Sequence, residues 1–254
     1  MSVESNAATQ TVVEVRNLSR RFGSADALSD VSLSIPRGVV FGLVGTNGAG
    51  KTTLIKHIMG LLRAQSGSVS VFGLDPVSSP TAVLSRVGYL SEANELPEWM
   101  RVDELVQFTR AFYPNWDENY AQSLRQSFEL EPHKTVQSLS KGQRARLGLV
   151  LALSYRAELL ILDEPSSGLD PLVRRDILRA IIKTIADEGR TVLFSSHLLD
   201  EVERVADHVA IIHGGRIIQN DDLESLKSRF GRLSLNEIFL ELVSPKGSPE
   251  VEHA

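Results

Sequence analysis

The chain has 254 residues, of which 42% are hydrophobic and 23% charged, a composition that indicates a folded globular protein rather than a disordered one. Its formal charge of −5 gives no general attraction to nucleic acid, so we expect no nucleic-acid partner. The absence of cysteine excludes disulfides and thiolate metal sites and is compatible with a reducing compartment.

The first third of the chain contains several predicted strands and one predicted helix. Apolar alternation predicts antiparallel strands over Thr11–Val15 and Ala27–Ile35, with a glycine-containing turn region between them. The almost wholly apolar run Gly38–Val44 predicts a central parallel strand. A glycine-rich turn and a helix over about 50–62 follow it. Two further short strands are predicted, Val69–Phe72 and Val87–Leu90.

Between about residues 93 and 156 the pattern becomes helical. Helices are predicted over Val102–Tyr113 and Tyr120–Leu130, with Pro114 dividing them, and a buried helix over Gly142–Tyr155. Because no strand alternation occurs here, we expect an α-helical subdomain over 93–156, inserted between parallel strands.

Strands and helices alternate again after this region. Leu159–Leu162 and Thr191–Ser195 are apolar runs that predict strands. The helix between them is delimited by Asp170 as N-cap, Pro171 at its first position and Gly189 just past its end. The remaining predicted elements are a helix at 198–205, a hairpin of 209–212 and 216–219, and helices at 222–229 and 235–242.

Together these elements predict an α/β fold with a mixed, mainly parallel sheet and an N-terminal antiparallel β subdomain. We expect one domain over 11–243, with a core of 11–92 and 157–243 and flexible tails at 1–10 and 244–254. The N-terminus has no apolar segment typical of a secretory signal, and no run approaches the roughly 18 apolar residues of a spanning helix. If the protein serves a membrane, another chain must cross it.

The segment Gly45–Thr52 matches G-x-x-x-x-G-K-[ST] and lies between a predicted strand and a predicted helix. Glycines let backbone N–H groups surround phosphates, and the helix N-terminus adds the positive end of its dipole. Lys51 is expected to reach the β- and γ-phosphates, and the Thr52 hydroxyl to ligate Mg²⁺. The motif therefore predicts a P-loop NTPase core whose nucleotide-binding residues are Gly45, Asn47, Gly48, Ala49, Gly50, Lys51, Thr52 and Thr53.

An acidic pair closes the predicted strand Leu159–Leu162. The strand delivers Asp163 and Glu164 to the carboxyl edge of the sheet, where such folds bind ligands. Asp163 is suited to the Mg²⁺ shell, and Glu164 is suited to orient and deprotonate the attacking water. The alternative is an acidic pair that only caps the next segment.

The helical region ends in Leu139-Ser140-Lys141-Gly142-Gln143, which stands between the P-loop and the acidic strand. With the later Ser167–Asp170 loop and Ser196-His197, this ordered set resembles the nucleotide-binding subunit of an ATP-binding cassette (ABC) transporter. The resemblance extends from about Val12 to Val243. It implies an Mg²⁺-dependent ATPase that hydrolyses ATP.

The resemblance also implies roles for individual residues. Ser140, Gly142 and Gln143 form the signature, which acts on the γ-phosphate held by a second copy of the chain or by a related cassette subunit. Asp170 belongs to the D-loop that crosses this dimer interface, with a helix cap as its alternative role. His197 is the switch histidine at the γ-phosphate, and Phe22 stacks on adenine, with core packing as the alternative for Phe22.

Two positions differ from the commonest pattern of this family. Glu92 stands where glutamine usually contacts Mg²⁺ and the attacking water, and a carboxylate is a stronger ligand for this metal. We therefore expect Glu92 to be a metal ligand, with altered metal dependence. Lys141 replaces a glycine of the signature, and we expect its side chain to point to solvent; the alternative is that it adds a cation beside the nucleotide interface.

In transporters of this family a membrane permease contacts the surface near 96–101. Leu96, Trp99 and Met100 are the candidate contacts, and burial in the helical subdomain is the alternative. The closing segment Leu235–Leu242 resembles the C-terminal helix of bacterial export-type ATPases, which favours export. The resemblance thus implies a cytoplasmic subunit, peripheral on the inner face of the cell membrane. The competing functions are a soluble ABC ATPase acting on ribosomes or nucleic acid, and a regulator that binds nucleotide without hydrolysis.

Overall fold

The structure is a computed structural model that describes residues 10–244, so the predicted tails 1–10 and 244–254 lie outside it except for residues 10 and 244. Within the described residues, no helix is both long and apolar enough to cross a membrane.

A three-stranded antiparallel sheet forms one layer, in the order β2-β1-β4. Its strands are β1 (Thr11–Phe22), β2 (Ala25–Pro36) and β4 (Ser66–Val71). Both β1 and β2 extend further toward each other than predicted. The turn that joins them needs only two residues, because Gly23 adopts a φ of 57° that favours glycine.

The larger sheet has six strands in the order β5-β6-β7-β3-β8-β9. Its pairs are parallel except for the hairpin of β8 and β9, which confirms the predicted mixed, mainly parallel sheet. The strands are β3 (Val40–Val44), β5 (Val87–Leu90), β6 (Leu159–Asp163), β7 (Thr191–Ser196), β8 (His208–His213) and β9 (Arg216–Asp222). Every residue of β3, β6 and β7 is buried, as expected for strands covered on both faces.

The helices are α1 (Lys51–Ile58), α2 (Pro80–Leu84), α3 (Val102–Arg110), α4 (Glu118–Ser127), α5 (Lys141–Leu153), α6 (Pro171–Glu188), α7 (Leu199–Val205), α8 (Leu223–Arg229) and α9 (Leu235–Val243). The short helix α2 was not predicted, since its five residues are too few to show a period. Helix α4 begins before its predicted start because Asp117 caps it, its carboxylate accepting a hydrogen bond from the backbone N–H of Tyr120 at 2.9 Å.

Three helices, α3, α4 and α5, occupy the chain between β5 and β6. A 3₁₀ turn at Val136–Ser138 and one isolated bridge between Arg101 and Thr135 lie in the same region. The limits of the helical subdomain and of the core remain predictions.

Two hydrophobic cores cover the two faces of the six-stranded sheet, because successive side chains of a strand point to opposite faces. Leu159 and Ile161 of β6 pack in the core that also holds the antiparallel sheet and α1. Leu160 and Leu162 pack in the other core, with α3 to α9. The sheet is thus held rigidly, and the loops at its carboxyl edge extend from a fixed frame.

Candidate functional site

The predicted P-loop, acidic pair and switch histidine meet at one edge of the larger sheet. The strand order β5-β6-β7-β3 makes their strands neighbours, and all four run parallel. The loops after these strands carry Glu92, Glu164, His197 and the P-loop respectively. Residues far apart in the sequence therefore share one site.

The P-loop wraps around the N-terminus of α1 and leaves no room for side chains at two positions. A Cβ on Gly45 would lie 2.3 Å from the carbonyl oxygen of Ile212. A Cβ on Gly50 would lie 2.7 Å from that of Ala27, and Gly50 has a φ of 111°. These two glycines are required by the packing as well as by the motif.

A cavity of about 300 Å³ opens in front of this loop. Its lining brings together most of the predicted nucleotide-binding residues with two predicted catalytic or metal-binding carboxylates. The lining residues are Ala27, Asn47, Gly48, Gly50, Lys51, Thr52, Thr53, Glu92 and Glu164. A concave site with backbone donors, a lysine and a helix N-terminus is suited to bind phosphates.

The ammonium group of Lys51 is buried and fully engaged. It donates hydrogen bonds to the carbonyl oxygens of Gly45 at 2.7 Å and Thr46 at 3.1 Å. It also lies 3.0 Å from Oε1 of Glu164. Lys51 is thus held at the P-loop by two carbonyl oxygens and one carboxylate oxygen.

The Glu164 carboxylate is buried and its two oxygens differ. Oε2 accepts hydrogen bonds from the backbone N–H of His197 at 3.3 Å and from its Nδ1 at 2.7 Å. Because an ionised carboxylate only accepts, Nδ1 carries the proton. Oε1 accepts no hydrogen bond from the described residues, although it contacts the Lys51 ammonium. Lys51, Glu164 and His197 are therefore brought together, with Oε1 buried against the Lys51 ammonium at the edge of the cavity that Glu164 lines.

The backbone at Glu164 is held in an unusual conformation. Its φ of 51° lies in the left-handed region, which is strained for a residue with a side chain. The Glu164 N–H donates to both the carbonyl and the hydroxyl of Ser195, at 3.2 and 3.0 Å. Such conformations persist where neighbouring contacts fix them, and they cluster at functional sites.

Asp163 lies at the end of β6 behind the cavity, and its Oδ1 accepts a hydrogen bond from the Ser195 hydroxyl at 2.7 Å. Burial raises the pKa of Asp163 above its usual value, against the hydrogen bonds from Ser195 and Thr52, and the charges of Glu164 and Glu92 raise it further. The carboxylate lacks sufficient positive charge nearby, and a divalent cation bound at Asp163 and Thr52 would supply it.

The described residues contain no cluster of three or more acidic or histidine side chains that could bind a metal ion alone. Mg²⁺ commonly binds to one or two protein carboxylates and takes its other ligands from water and phosphate. Glu92, also predicted as a metal ligand, is exposed at the same cavity. Its Oε1 accepts a hydrogen bond from the Ser167 hydroxyl at 3.2 Å.

The signature residues lie at the start of α5, outside the cavity of their own P-loop. Ser140 caps this helix, its hydroxyl accepting from the Gln143 N–H at 3.2 Å while the Gln143 side chain accepts from the Ser140 N–H at 3.1 Å. Gly142 is buried, and a Cβ there would lie 2.7 Å from a methyl group of Val173. The expectation for Lys141 was incomplete, since its exposed side chain also donates to the Ser167 carbonyl oxygen at 2.8 Å.

Asp170 caps α6. Its Oδ1 accepts hydrogen bonds from the N–H groups of Leu172 at 3.0 Å and Val173 at 3.1 Å. The helix cap that was the alternative role predicted for Asp170 is therefore observed.

A buried carboxylate that the sequence did not indicate lies beside this loop. Glu201 of α7 accepts a hydrogen bond from the Ser166 hydroxyl at 2.5 Å, and its other oxygen lies 3.1 Å from Nε of Arg174. The Arg174 guanidinium also donates to the carbonyl oxygen of Leu169 at 3.2 Å. Burial raises the pKa of Glu201. Glu201 thus fixes the loop that follows Glu164 from its buried side.

Phe22 is predicted to stack on a base, and Leu96, Trp99 and Met100 are predicted to contact a partner protein. The exposure of these side chains differs. The Phe22 ring is 46% exposed at the end of β1, with the Arg20 guanidinium 4.6 Å from its centre, so the core-packing alternative is wrong. Trp99 is 75% exposed and Leu96 is half-buried. Met100 is only 9% exposed and packs in the core with α3 and α5, so its prediction as a partner contact is wrong.

Comparisons with known proteins agree with this geometry. A family model described as "ABC transporter" matches residues 28–167. The ABC transporter ATP-binding protein YtrB of Bacillus subtilis (strain 168) is 31% identical over 224 residues, which cover 88% of this chain and 76% of YtrB. The bacitracin transport ATP-binding protein BcrA of Bacillus licheniformis is 31% identical over 221 residues, which cover 86% of this chain and 72% of BcrA. A solved structure of an ATP-binding subunit of an ABC transporter superposes with a TM-score of 0.83 at 30% identity, covering 92% of this chain and all of that one.

Proposed function

The chain belongs to the ABC transporter family, as an ATP-binding and ATP-hydrolysing subunit, and we propose that it powers substrate movement through a separate membrane permease. The observation that carries the proposed mechanism is the Glu164 carboxylate at the P-loop cavity, whose Oε2 is held by His197 and whose Oε1 lies 3.0 Å from the Lys51 ammonium. Once Lys51 moves to a bound phosphate, Oε1 would become available to a water molecule placed beside that phosphate.

The phosphates of ATP would displace Lys51 from its present partners. Phosphate oxygens carry more negative charge than the carbonyl oxygens of Gly45 and Thr46, so the ammonium should move to them. This movement weakens the 3.0 Å contact between Lys51 and Glu164. Binding of the substrate therefore releases Oε1 for its role as general base.

His197 would orient the base. It holds Oε2 of Glu164 through two donors, so that the other oxygen points to the attacking water. Nε2 of His197 would donate to the γ-phosphate, which requires a proton on both ring nitrogens, because Nδ1 already donates to Glu164. Thr52, Asp163 and Glu92 would hold Mg²⁺, which supplies positive charge to the phosphates.

Two cassettes would form the complete site. The signature residues Ser140, Gly142 and Gln143 do not line the cavity of their own P-loop. A second copy of the chain, or a related cassette subunit, would present its signature to that cavity. The α5 N-terminus suits this role, because its N–H groups and dipole attract an anion.

The permease would bind near Trp99 and Leu96. An aromatic ring that is 75% exposed is a suitable anchor for a partner. Such binding would place the chain at the inner face of the cell membrane. Helix α9, which packs Leu235, Ile238 and Phe239 into the core, is the element that favours export, by its likeness to export-type ATPases.

ATP hydrolysis by the full chain, with the Glu164→Gln variant beside it, tests this function. The variant should bind ATP with a dissociation constant close to that of the wild type and lose about 100-fold or more of its turnover. It should also accumulate as a dimer with Mg²⁺ and ATP in sedimentation velocity. Glu131→Gln, on the surface, is the matched control. Equal turnover in the wild type and Glu164→Gln would favour the regulator, and stimulation by ribosomes or RNA would favour the soluble alternative.

A further inference from the structure

The two positions at which the sequence departs from the family pattern meet on one residue. Ser167 donates its hydroxyl hydrogen to Oε1 of Glu92 at 3.2 Å, and its carbonyl oxygen accepts from Nζ of Lys141 at 2.8 Å. These three residues, which we name the Ser167 clamp, come from the loop after β5, the start of α5 and the loop after β6. All three line a cavity of about 260 Å³.

Ser167 is linked directly to Glu164. Its N–H donates to the Glu164 carbonyl oxygen at 3.1 Å, which closes the tight turn over 164–167. Because Glu164 has a φ of 51°, this turn is strained and needs support from its neighbours. Ser195 and Glu201 support its buried side. The Ser167 clamp supports its exposed side.

The two hydrogen bonds of the Ser167 clamp depend on the residue types at positions 92 and 141. A glycine at position 141 would offer no donor to the Ser167 carbonyl, whereas the lysine offers a charged one. A carboxylate at position 92 is a stronger acceptor for the hydroxyl than an amide oxygen. Both departures therefore strengthen the hold on the same residue.

We propose that Lys141 is a positioning residue, which holds Ser167 together with the Glu92 acceptor and, through the 164–167 turn, places the Glu164 carboxylate for hydrolysis. This inference rests on the proposed role of Glu164 as general base. Lys141 acts here on the Glu164 of its own chain, in addition to any contact that the signature makes with a nucleotide on a second copy. The clamp thus relates the placement of the signature helix to the catalytic turn of the same subunit.

Amide hydrogen exchange of the full chain, without nucleotide or Mg²⁺, tests the clamp itself. Lys141→Met removes the donor and keeps the length of the side chain. The Ser167 and Leu169 amides, which are bonded within this loop, should exchange about three to ten times faster in this variant. Lys141→Arg should restore slow exchange. Lys134→Met, at a surface lysine paired with Glu131 at 2.7 Å, is the control and should leave this loop unchanged. Equal exchange in Lys141→Met and wild type overturns the clamp.

Mixed dimers test whether the clamp acts within one chain. Each dimer pairs one Glu164→Gln chain, which cannot hydrolyse, with one chain that keeps Glu164. Lys141→Met in the chain that keeps Glu164 should lower kcat about three- to tenfold, with KM for ATP within about twofold. The same change in the Glu164→Gln chain should have little effect. A loss of kcat that follows only the Glu164→Gln chain contradicts the proposal, as does faster exchange without any loss of kcat.

These two measurements also distinguish failure of the clamp proposal from failure of the proposed function. If the wild type hydrolyses no ATP or forms no dimer, the proposed function fails. The exchange measurement, which needs neither activity nor assembly, still decides whether Lys141 holds the 164–167 turn.

Discussion

Replacing Glu201 by alanine should destabilise the subunit through the loop that follows Glu164. The change removes the acceptor of the Ser166 hydroxyl and the ionic partner of Arg174. Removing one partner of a buried ion pair costs about 3 to 5 kcal/mol. Because the Arg174 side chain is 34% exposed and can be partly hydrated, we expect a loss of about 2 to 3 kcal/mol in the free energy of unfolding.

Thermal unfolding followed by circular dichroism, without nucleotide, measures this loss. For a domain of this size, Tm should fall by about 5 to 10 °C. Glu201→Gln is the matched variant, since it keeps the shape of the side chain and an acceptor for Ser166. Its Tm should fall by less than half as much.

The pH dependence gives an independent check on the same residue. The pKa of Glu201 is raised in the folded state, so the folded protein binds this proton more readily than the unfolded chain. The contribution of Glu201 to stability is therefore full below its unfolded pKa of about 4.3 and declines as pH rises through the folded value. The difference in stability between the wild type and Glu201→Ala should be larger at pH 5 than at pH 8. A difference that grows with pH, or an alanine variant as stable as the wild type, would refute this reasoning.

Three other changes test the site. Asp163→Asn should raise Tm without nucleotide by roughly 2 to 4 °C, since it removes a buried charge with a raised pKa. The further increase in Tm that Mg²⁺ and ATP cause should be smaller in this variant than in the wild type. An unchanged increase would exclude Asp163 from the metal site. Gly45→Ala should abolish ATP binding in calorimetry, because its Cβ would lie 2.3 Å from the Ile212 carbonyl oxygen, and normal affinity would contradict this. Phe22→Ala should weaken ATP and GTP binding alike, by about three- to tenfold, if the exposed ring stacks on the base; unchanged affinity for both would exclude stacking.

The sequence predicted best those parts of the site that depend on local backbone. The P-loop needs glycine where a side chain would clash, and a strand followed by a helix, and both requirements are visible in consecutive residues. The mainly parallel sheet followed from apolar runs that alternate with helices. These features place Lys51 and the carboxylates of Asp163 and Glu164 at one sheet edge.

Contacts between distant segments could not be predicted in the same way. Glu201 and Ser166 are 35 residues apart, and Ser167 and Glu92 are 75 apart, so no local pattern relates them. Trp99 and Met100 show the same limit at shorter range. These residues lie in a turn closed by the Met100 N–H, which donates to the Pro97 carbonyl oxygen at 3.2 Å, and only the fold decides that Trp99 is exposed and Met100 buried.

The charges at the sheet edge favour a cation that accompanies the nucleotide. Glu92 and Glu164 line the cavity, and Asp163 lies behind them with a raised pKa. Lys51 lines the same cavity, but its charge already faces Glu164 at 3.0 Å. A triphosphate adds several negative charges to this edge, and the P-loop amides and the α1 dipole offset them only in part. A divalent cation between Asp163, Thr52 and the phosphates would compensate both the nucleotide and the protein carboxylates. We therefore expect the binding of ATP at this edge to be stronger with Mg²⁺ than without it.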